Sequence, residues 1–118
     1  MAKVMIVDDD QTTLSLLETL LELDGFEVAT VSRGGDVISR AEQFLPDIIL
    51  MDYHLTDTQG VVILREIRKH DTLQNLPVII ASGMNVEDEV LEAGANQFLG
   101  KPFFPEDLAQ IFSKFING

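Results

Sequence analysis

The chain contains no cysteine, carries few basic residues and has no long apolar run. The absence of cysteine excludes disulfides, zinc fingers and thiol catalysis, and it is compatible with a reducing compartment. A bound metal ion therefore cannot take thiolate ligands, and with only two histidines in the chain oxygen ligands are expected. These exclusions make oxygen-bearing side chains the first candidates for a functional site.

Acidic residues greatly outnumber basic ones. Eight Lys and Arg stand against 20 Asp and Glu, which gives a net charge of −12. Nucleic acids and anionic membrane surfaces are bound largely through contacts of Lys and Arg with phosphate, so this charge disfavours both partners. We expect no direct binding to nucleic acid and no association with a membrane.

The longest apolar runs are about four residues, whereas a helix that spans a bilayer needs about 20. Asp8 comes too early in the chain for a signal peptide. A cytoplasmic protein is therefore expected. A chain of 118 residues is of single-domain length and buries about two-thirds of its unfolded surface, so residues 1–118 are expected to form one domain.

The chain is organised around the apolar run Ile48–Met51, which is closed by Asp52. A strand with one solvent-facing side would alternate apolar and polar residues, so this run predicts a strand that is covered by helices on both faces. Asp52 then lies at the carboxyl edge of the sheet, where open α/β sheets bind ligands. The simpler interpretation is that Asp52 only begins a polar loop.

Strands and amphipathic helices alternate five times along the chain, with short connections. Right-handed crossovers then predict an α/β domain with a doubly wound, parallel five-stranded sheet between two layers of helices. The predicted strands are 3–7, 26–31, 47–52, 78–81 and 97–99. Among the predicted helices, the fourth is short, about 86–93, and the last covers 105–115.

Four of the five predicted strands end in polar groups, which are Asp8 to Asp10, Asp52, Ser82 and Lys101. Parallel strands bring these groups to one edge of the sheet. Carboxylates a few Å apart repel each other by about 3 kcal/mol per pair at an effective dielectric of about 20, so such a cluster needs a cation. Lys101 supplies one positive charge, and oxygen ligands suit Mg²⁺ for the rest.

A carboxylate in such a site can attack a phosphoryl group, while a lysine and a hydroxyl stabilise the equatorial oxygens. Asp52, Lys101 and Ser82 fit these three roles, and Asp8 with Asp9 are the candidate metal ligands. Each residue also has a simpler interpretation: a helix N-cap for an aspartate, a turn for the serine and a solvated charge for the lysine.

Other polar and aromatic residues are assigned no role in the site. Arg65, Arg68 and Lys69 are expected on the solvent-exposed face of their helix. The side chain of His54 has no second histidine nearby and is not expected to act as a ligand or base. Phe103-Phe104 is expected to pack rather than to bind a partner.

Four motifs together resemble one known family, the receiver domains of bacterial two-component response regulators, of which the chemotaxis regulator is the simplest. The resemblance covers the whole chain, and it implies a flavodoxin-like sheet of order 2-1-3-4-5. The motifs are Val7-Asp8-Asp9, Asp52 with Gly60 eight residues on, Pro77 to Ser82, and Gly94-Ala95 followed by Lys101-Pro102-Phe103.

The resemblance implies that Asp52 takes a phosphoryl group from the phosphohistidine of a histidine kinase or phosphotransfer protein. Mg²⁺ would be held by Asp8, Asp9, Asp52 and the main-chain carbonyl of His54. Catalysis would be limited to the gain and loss of this phosphoryl group, so the chain would not be an enzyme that acts on separate substrates.

The resemblance also implies a two-state switch. Ser82 and Lys101 would contact the phosphoryl oxygens, the Ser82 hydroxyl would move toward them, and Phe98 would turn inward. This change would reshape the face formed by the fourth helix, the fifth strand and the fifth helix, where an unidentified protein effector would bind.

Three positions depart from the family pattern. Thr56 stands where the family usually has proline, so the loop after Asp52 is expected to be looser. Phe98 lacks the hydroxyl of the tyrosine that is common at its position. The segment between Ser82 and Gly94 is about three residues shorter than usual, nearly one helical turn, which predicts a shortened fourth helix and an unusual partner surface or homodimer.

Three other functions are compatible with an α/β domain of this kind, and the residues fit each of them less well. A docking module of the same fold that needs no phosphorylation would not require the complete reactive set. An FMN-binding protein would need a phosphate-cradling loop after the first strand, where Asp8 to Asp10 would repel phosphate without a metal. A phosphohydrolase of the haloacid dehalogenase type would carry a second aspartate two residues after Asp52, at the position of His54.

Overall fold

A computed structural model gives the structure of residues 1–116. One sheet of five parallel strands has the order β2-β1-β3-β4-β5, which confirms the predicted parallel sheet and the order that the resemblance implied. The strands are β1 (Lys3–Val7), β2 (Glu27–Val31), β3 (Ile48–Asp52), β4 (Val78–Ser82) and β5 (Gln97–Gly100).

The middle strand is β3, and both of its faces are covered, as its uninterrupted apolar sequence predicts. It pairs with β1 on one side and β4 on the other, so that Met51 lies between Val7 and Ile80. Its residues Ile48 to Met51 are buried. Asp52 is the last residue of the strand and lies at the carboxyl edge of the sheet.

The helices have ends that the sequence explains. Asp10 caps the first helix by accepting a hydrogen bond from the Thr12 N–H, and Gly25 follows that helix at a φ of 95°, which glycine adopts readily. Short 3-10 turns, Gly34–Asp36 and Pro105–Asp107, precede the second and fifth helices. The helices are α1 (Gln11–Leu23), α2 (Val37–Phe44), α3 (Gly60–Lys69), α4 (Glu87–Glu92) and α5 (Leu108–Ser113). Within the described residues, none of these helices is long and apolar enough to cross a membrane.

Alternate residues of the strands pack into two apolar cores, one on each face of the sheet. Ile49 and Ile80 belong to the core that is shared with α2, α3 and α4. Leu50 and Ile79 belong to the core that is shared with α1 and α5. The two cores establish the predicted three-layer architecture.

The fourth helix is short, as predicted. α4 has six residues, and it is anchored by Val90, which is fully buried. Gly94 follows it at a φ of 112°, in the left-handed region that favours glycine. A Cβ at Gly94 would also press against the side chain of Arg68, at 3.1 Å from its Cγ and Nε atoms. The backbone conformation therefore favours glycine at this turn, and the contact with Arg68 leaves little room for a larger residue.

The prediction that Arg68 lies on the solvent-exposed face of its helix was wrong. The side chain is half-buried and burial lowers the pKa of its guanidinium. Its hydrogen bonds join the end of α3 to the loop before β4 and to the turn before β5. They go to the carbonyls of Gly94 (2.9 Å), Gln74 (3.1 Å) and Leu76 (2.7 Å), and to Oδ1 of Asn96 (2.9 Å).

Candidate functional site at the carboxyl edge of the sheet

Three carboxylates meet where β1 and β3 end. Asp8, Asp9 and Asp52 each offer one oxygen, and these oxygens lie within 4.8 Å of one another. Asp8 is buried, Asp52 is partly buried and Asp9 is exposed. The convergence that the sequence predicted for the ends of parallel strands is therefore present, and Asp9 is the solvent-exposed member of the cluster.

Lys101, which follows β5, provides the positive charge inside this cluster. Its Nζ lies 3.5 Å from Oδ2 of Asp8 and 3.3 Å from Oδ2 of Asp52. Burial raises the pKa of the Asp52 carboxyl; the Lys101 ammonium opposes this shift and the Asp8 carboxylate adds to it. One ammonium against three carboxylates leaves the cluster with an excess of negative charge.

The donor set of this cluster fits a hard divalent cation. All of its side-chain ligands are carboxylate oxygens, which suit Mg²⁺ better than they suit a softer metal. The main-chain carbonyl of His54 is also available. Two hydrogen bonds flank the bridge between His54 and Gln59, and neither of them occupies the His54 carbonyl. They run from the Gly60 N–H to the Tyr53 carbonyl and from the Leu55 N–H to the Thr58 carbonyl.

Asp10, the third aspartate after β1, has a structural role. Asp10 accepts hydrogen bonds from the Thr12 N–H at 3.1 Å and from the Thr13 hydroxyl at 2.8 Å. These bonds, the one from Thr13 first, lower the pKa of Asp10. Asp10 is therefore the N-cap of α1, and the N-cap interpretation does not account for Asp8 or Asp9.

Ser82 and Phe98 lie on the strands beside the cluster. Ser82 ends β4 and is 2% exposed, and its Oγ accepts a hydrogen bond from the Met84 N–H at 3.0 Å, which leaves its hydroxyl proton free to be donated. Phe98 is partly buried on β5 and packs against the core shared with α2, α3 and α4. The His54 ring is exposed, with Nε2 2.9 Å from the Met84 sulfur.

The loop after Asp52 is held by hydrogen bonds of two side chains, Thr56 and Asp57, to which the sequence analysis assigned no stabilising role. Thr56 Oγ1 donates a hydrogen bond to Oδ2 of Asp9 at 2.8 Å. Asp57 accepts from the N–H groups of Gly34 and Gly35, both at 2.9 Å. The structure thus gives the loop two anchors where a looser loop was expected. The only sequence signal was the presence of hydrogen-bonding residues in a loop of usual length.

A further hydrogen bond links the site to the short fourth helix. The Tyr53 hydroxyl, directly after Asp52 in the chain, donates to Oε1 of Glu89 at 2.7 Å. This bond, reinforced by burial, raises the pKa of Tyr53. The strand that carries Asp52 is therefore connected to α4 by a specific side-chain contact.

Residues 4–113 match the response regulator receiver domain family. The chain is a receiver domain. The match covers all of the sheet except Lys3 at the start of β1, and it covers the whole carboxylate cluster, so the family that the motifs resembled is confirmed.

Curated relatives of this receiver domain are longer proteins. It is 40% identical to the transcriptional regulatory protein GltR of Pseudomonas aeruginosa over 108 residues, which are 89% of this chain and 45% of that protein. It is 38% identical to the transcriptional regulatory protein PrrA of Mycobacterium tuberculosis over 109 residues, 90% of this chain and 46% of that protein. The chain thus spans about half the length of the curated relatives it matches.

Solved structures agree with the receiver fold. The receiver domain of a sensor histidine kinase from Pseudomonas aeruginosa has magnesium coordinated in its active site cleft; it is 29% identical to this chain, with a TM-score of 0.87 and coverage of 97% of this chain and 96% of that one. The chemotaxis response regulator CheY4 of Vibrio cholerae is 25% identical, with a TM-score of 0.90 and coverage of 98% and 99%.

Proposed function

We propose that Asp52 is the phosphoacceptor of this receiver domain and that it takes a phosphoryl group from the phosphohistidine of a histidine kinase or phosphotransfer protein. The observation that carries the proposal is the cluster of three carboxylate oxygens within 4.8 Å, with the Lys101 ammonium 3.3 Å from Asp52. A cluster with that excess of negative charge suits the binding of a divalent cation and then of a phosphoryl group.

Mg²⁺ is the proposed cofactor, with Asp8, Asp9, Asp52 and the His54 carbonyl as its protein ligands. When bound, it supplies the charge that lets an anionic phosphoryl group approach a carboxylate. The chain's own groups do the rest: an Asp52 oxygen is the nucleophile, and Lys101 and Ser82 donate to the equatorial oxygens. The chain would catalyse only the gain and loss of its own phosphoryl group.

The phosphohistidine donor has a surface to dock on beside Lys101. A groove of about 400 Å³ runs between α1 and the segment after β5, lined by Leu16, Leu17, Pro102 and Phe103, among others. Leu16 is 52% exposed, and Phe104, which was expected to pack, is 68% exposed. Apolar residues at the rim of a charged site suit a protein partner that brings its phosphohistidine to Asp52.

The output of the proposed switch is the face formed by α4, β5 and α5. Phosphorylation would draw the Ser82 hydroxyl toward the phosphoryl oxygens and move Phe98 inward, and the Tyr53–Glu89 hydrogen bond would transmit the change to α4. A protein effector would read this face, and the six-residue α4 favours an unusual effector surface or homodimer. We also propose that residues 1–118 form one domain that works in the cytoplasm and makes no direct contact with nucleic acid or membrane.

The proposal is tested by the intact mass of the protein after incubation with acetyl phosphate, with and without Mg²⁺. The wild type is expected to gain one phosphoryl group only when Mg²⁺ is present. Asp52→Asn is expected to gain none, because an amide nitrogen and oxygen cannot replace the nucleophilic carboxylate. Asp47→Asn, which changes an aspartate at the opposite end of β3, is the matched control and is expected to behave like the wild type.

Two results would contradict the proposal. A folded wild type that gains no phosphoryl group would favour a docking module that works without phosphorylation. A gain that persists in Asp52→Asn would place the acceptor elsewhere in the chain.

A further inference from the structure

Asp9 is the member of the carboxylate cluster that packing restrains least. Asp8 is 6% exposed, and its Oδ1 accepts a hydrogen bond from the Asp10 N–H at 2.9 Å. Asp52 is partly buried and contacts the Lys101 ammonium. Asp9 is exposed, so an additional contact is needed to hold its carboxylate toward the other two.

Thr56 supplies that contact. Its Oγ1 donates a hydrogen bond of 2.8 Å to Oδ2 of Asp9, across 47 positions of sequence. A hydroxyl that occupies one carboxylate oxygen fixes the orientation of the group and leaves the second oxygen for a metal ion. Groups that orient metal ligands in this way contribute to affinity without touching the metal.

Thr56 is itself held in place by its two neighbours. Leu55 is buried and its N–H donates to the Thr58 carbonyl at 3.0 Å. Asp57 accepts from the N–H groups of Gly34 and Gly35. These glycines begin the second helical segment, which consists of the 3-10 turn Gly34–Asp36 and α2. With the main chain fixed on both sides, the Thr56 hydroxyl is presented to Asp9 at little additional entropic cost.

We infer that Thr56 is a positioning residue for the metal site, acting through Asp9. The inference rests on the proposed Mg²⁺ site and adds to it a residue that contacts no metal and no phosphoryl group. Proline, which is usual at this position in receiver domains, has no hydroxyl. The hydrogen bond from Thr56 to Asp9 is therefore a property of this chain's own sequence.

Titration calorimetry of MgCl₂ into the purified protein tests the inference. Thr56→Val keeps the shape of the side chain and removes the hydroxyl, and it is expected to weaken Mg²⁺ binding about 10-fold, the lower end of the range for outer-shell partners of metal ligands. Thr56→Ser restores the hydroxyl and is expected to bind within about twofold of the wild type. Thr58→Val removes a hydroxyl from the same loop without touching Asp9 and is expected to leave the affinity unchanged.

A double-mutant cycle separates positioning from a general effect on the loop. In the Asp9→Ala background, Thr56→Val is expected to cause little further loss of affinity, because the acceptor through which Thr56 acts has been removed. Equal losses in both backgrounds would overturn the inference, as would a Thr56→Val affinity within twofold of the wild type. Thermal unfolding in EDTA checks that each variant is folded.

The failure of the inference and the failure of the proposed function have different signatures. If the folded wild type shows no binding of Mg²⁺, the metal site and with it the proposed function are wrong. If the wild type binds Mg²⁺ and Thr56→Val binds it equally well, only the role of Thr56 is wrong.

Discussion

At the scale of single residues, Arg68 forms four intramolecular hydrogen bonds where the sequence predicted a solvent-exposed side chain. Its guanidinium donates to three main-chain carbonyls and to Asn96. Arg68→Ala is expected to destabilise the fold by about 2–4 kcal/mol, because two part-buried carbonyls, those of Gly94 and Leu76, lose their donor together with two exposed acceptors. Arg68→Lys is expected to recover little of this, since an ammonium cannot reproduce the planar fork of the guanidinium. Urea unfolding measures both effects.

Arg65→Ala is the matched control for this prediction. Arg65 lies on the same helix but is exposed, so its removal is expected to change the free energy of unfolding by less than about 0.5 kcal/mol. Similar losses for Arg65→Ala and Arg68→Ala would show that helix charge, rather than the buried hydrogen bonds, accounts for the effect.

The carboxylate cluster was predictable at this scale, whereas its supports were not. Asp8, Asp52 and Lys101 follow apolar strands, and parallel strands bring their carboxyl ends to one edge whatever the loops do. Thr56 and Arg68 find partners 47 and 26 positions away, and those pairings depend on how loops and turns pack in three dimensions. Polar residues of loops and helix faces carry no periodic signal that identifies such partners.

At the scale of elements, the second helical segment begins with a cap from a distant loop. The Asp57 carboxylate accepts from the Gly34 and Gly35 N–H groups, and these bonds, the one from Gly35 first, lower the pKa of Asp57. A Cβ at Gly34 would collide with the Thr58 methyl group, so the loop and the helix approach closely. The cap therefore fastens the loop after Asp52 to the beginning of this helical segment.

Asp57→Asn is expected to lower Tm at pH 7, because the amide can accept only through its single oxygen. A carboxyl whose pKa is lowered on folding stabilises the fold above its unfolded pKa of about 3.9, and this contribution is lost as pH falls through the lower, folded value. The difference in Tm between wild type and Asp57→Asn is thus expected to shrink below about pH 4. Thermal unfolding at a series of pH values measures it.

The control for the cap is Asp71→Asn, which changes an exposed aspartate in the loop after α3 and is expected to leave Tm at pH 7 nearly unchanged. A wild type and Asp57→Asn with equal Tm at pH 7 would contradict the role of the cap.

Element order and type followed from the sequence, and the boundaries shifted by a few residues. Apolar runs that are bounded by glycine, proline or aspartate located all five strands. The last helix was predicted for 105–115, but Pro105–Asp107 forms a 3-10 turn and α5 covers only Leu108–Ser113. Local turn geometry of this kind depends on the docking of the preceding segment, which apolar periodicity does not describe.

At the scale of the whole molecule, a net charge of −12 and the local excess of negative charge in the carboxylate cluster act in the same direction. Both disfavour the compact state at neutral pH when no cation is bound. Salt of any kind screens the general repulsion, whereas only a cation that fits the cluster can relieve its local excess of charge. Comparing the stability of the protein in different salts at equal ionic strength therefore separates binding of a cation to the cluster from general screening of the net charge.

MgCl₂ is expected to raise Tm more than NaCl of equal ionic strength, because a ligand that binds only the folded state stabilises it. At 100 times Kd the gain in the free energy of unfolding is about 2.7 kcal/mol, or about 10 °C in Tm for a domain of this size.

Asp52→Asn is expected to differ from the wild type both in its Tm without a metal ion and in the gain of Tm from Mg²⁺. Burial raises the pKa of the Asp52 carboxyl, so its ionised form costs stability at pH 7, and the variant should melt higher than the wild type in EDTA. It should also gain much less from Mg²⁺, since a ligand is missing. Equal responses of the two proteins to Mg²⁺ would mean that the ion acts on net charge alone.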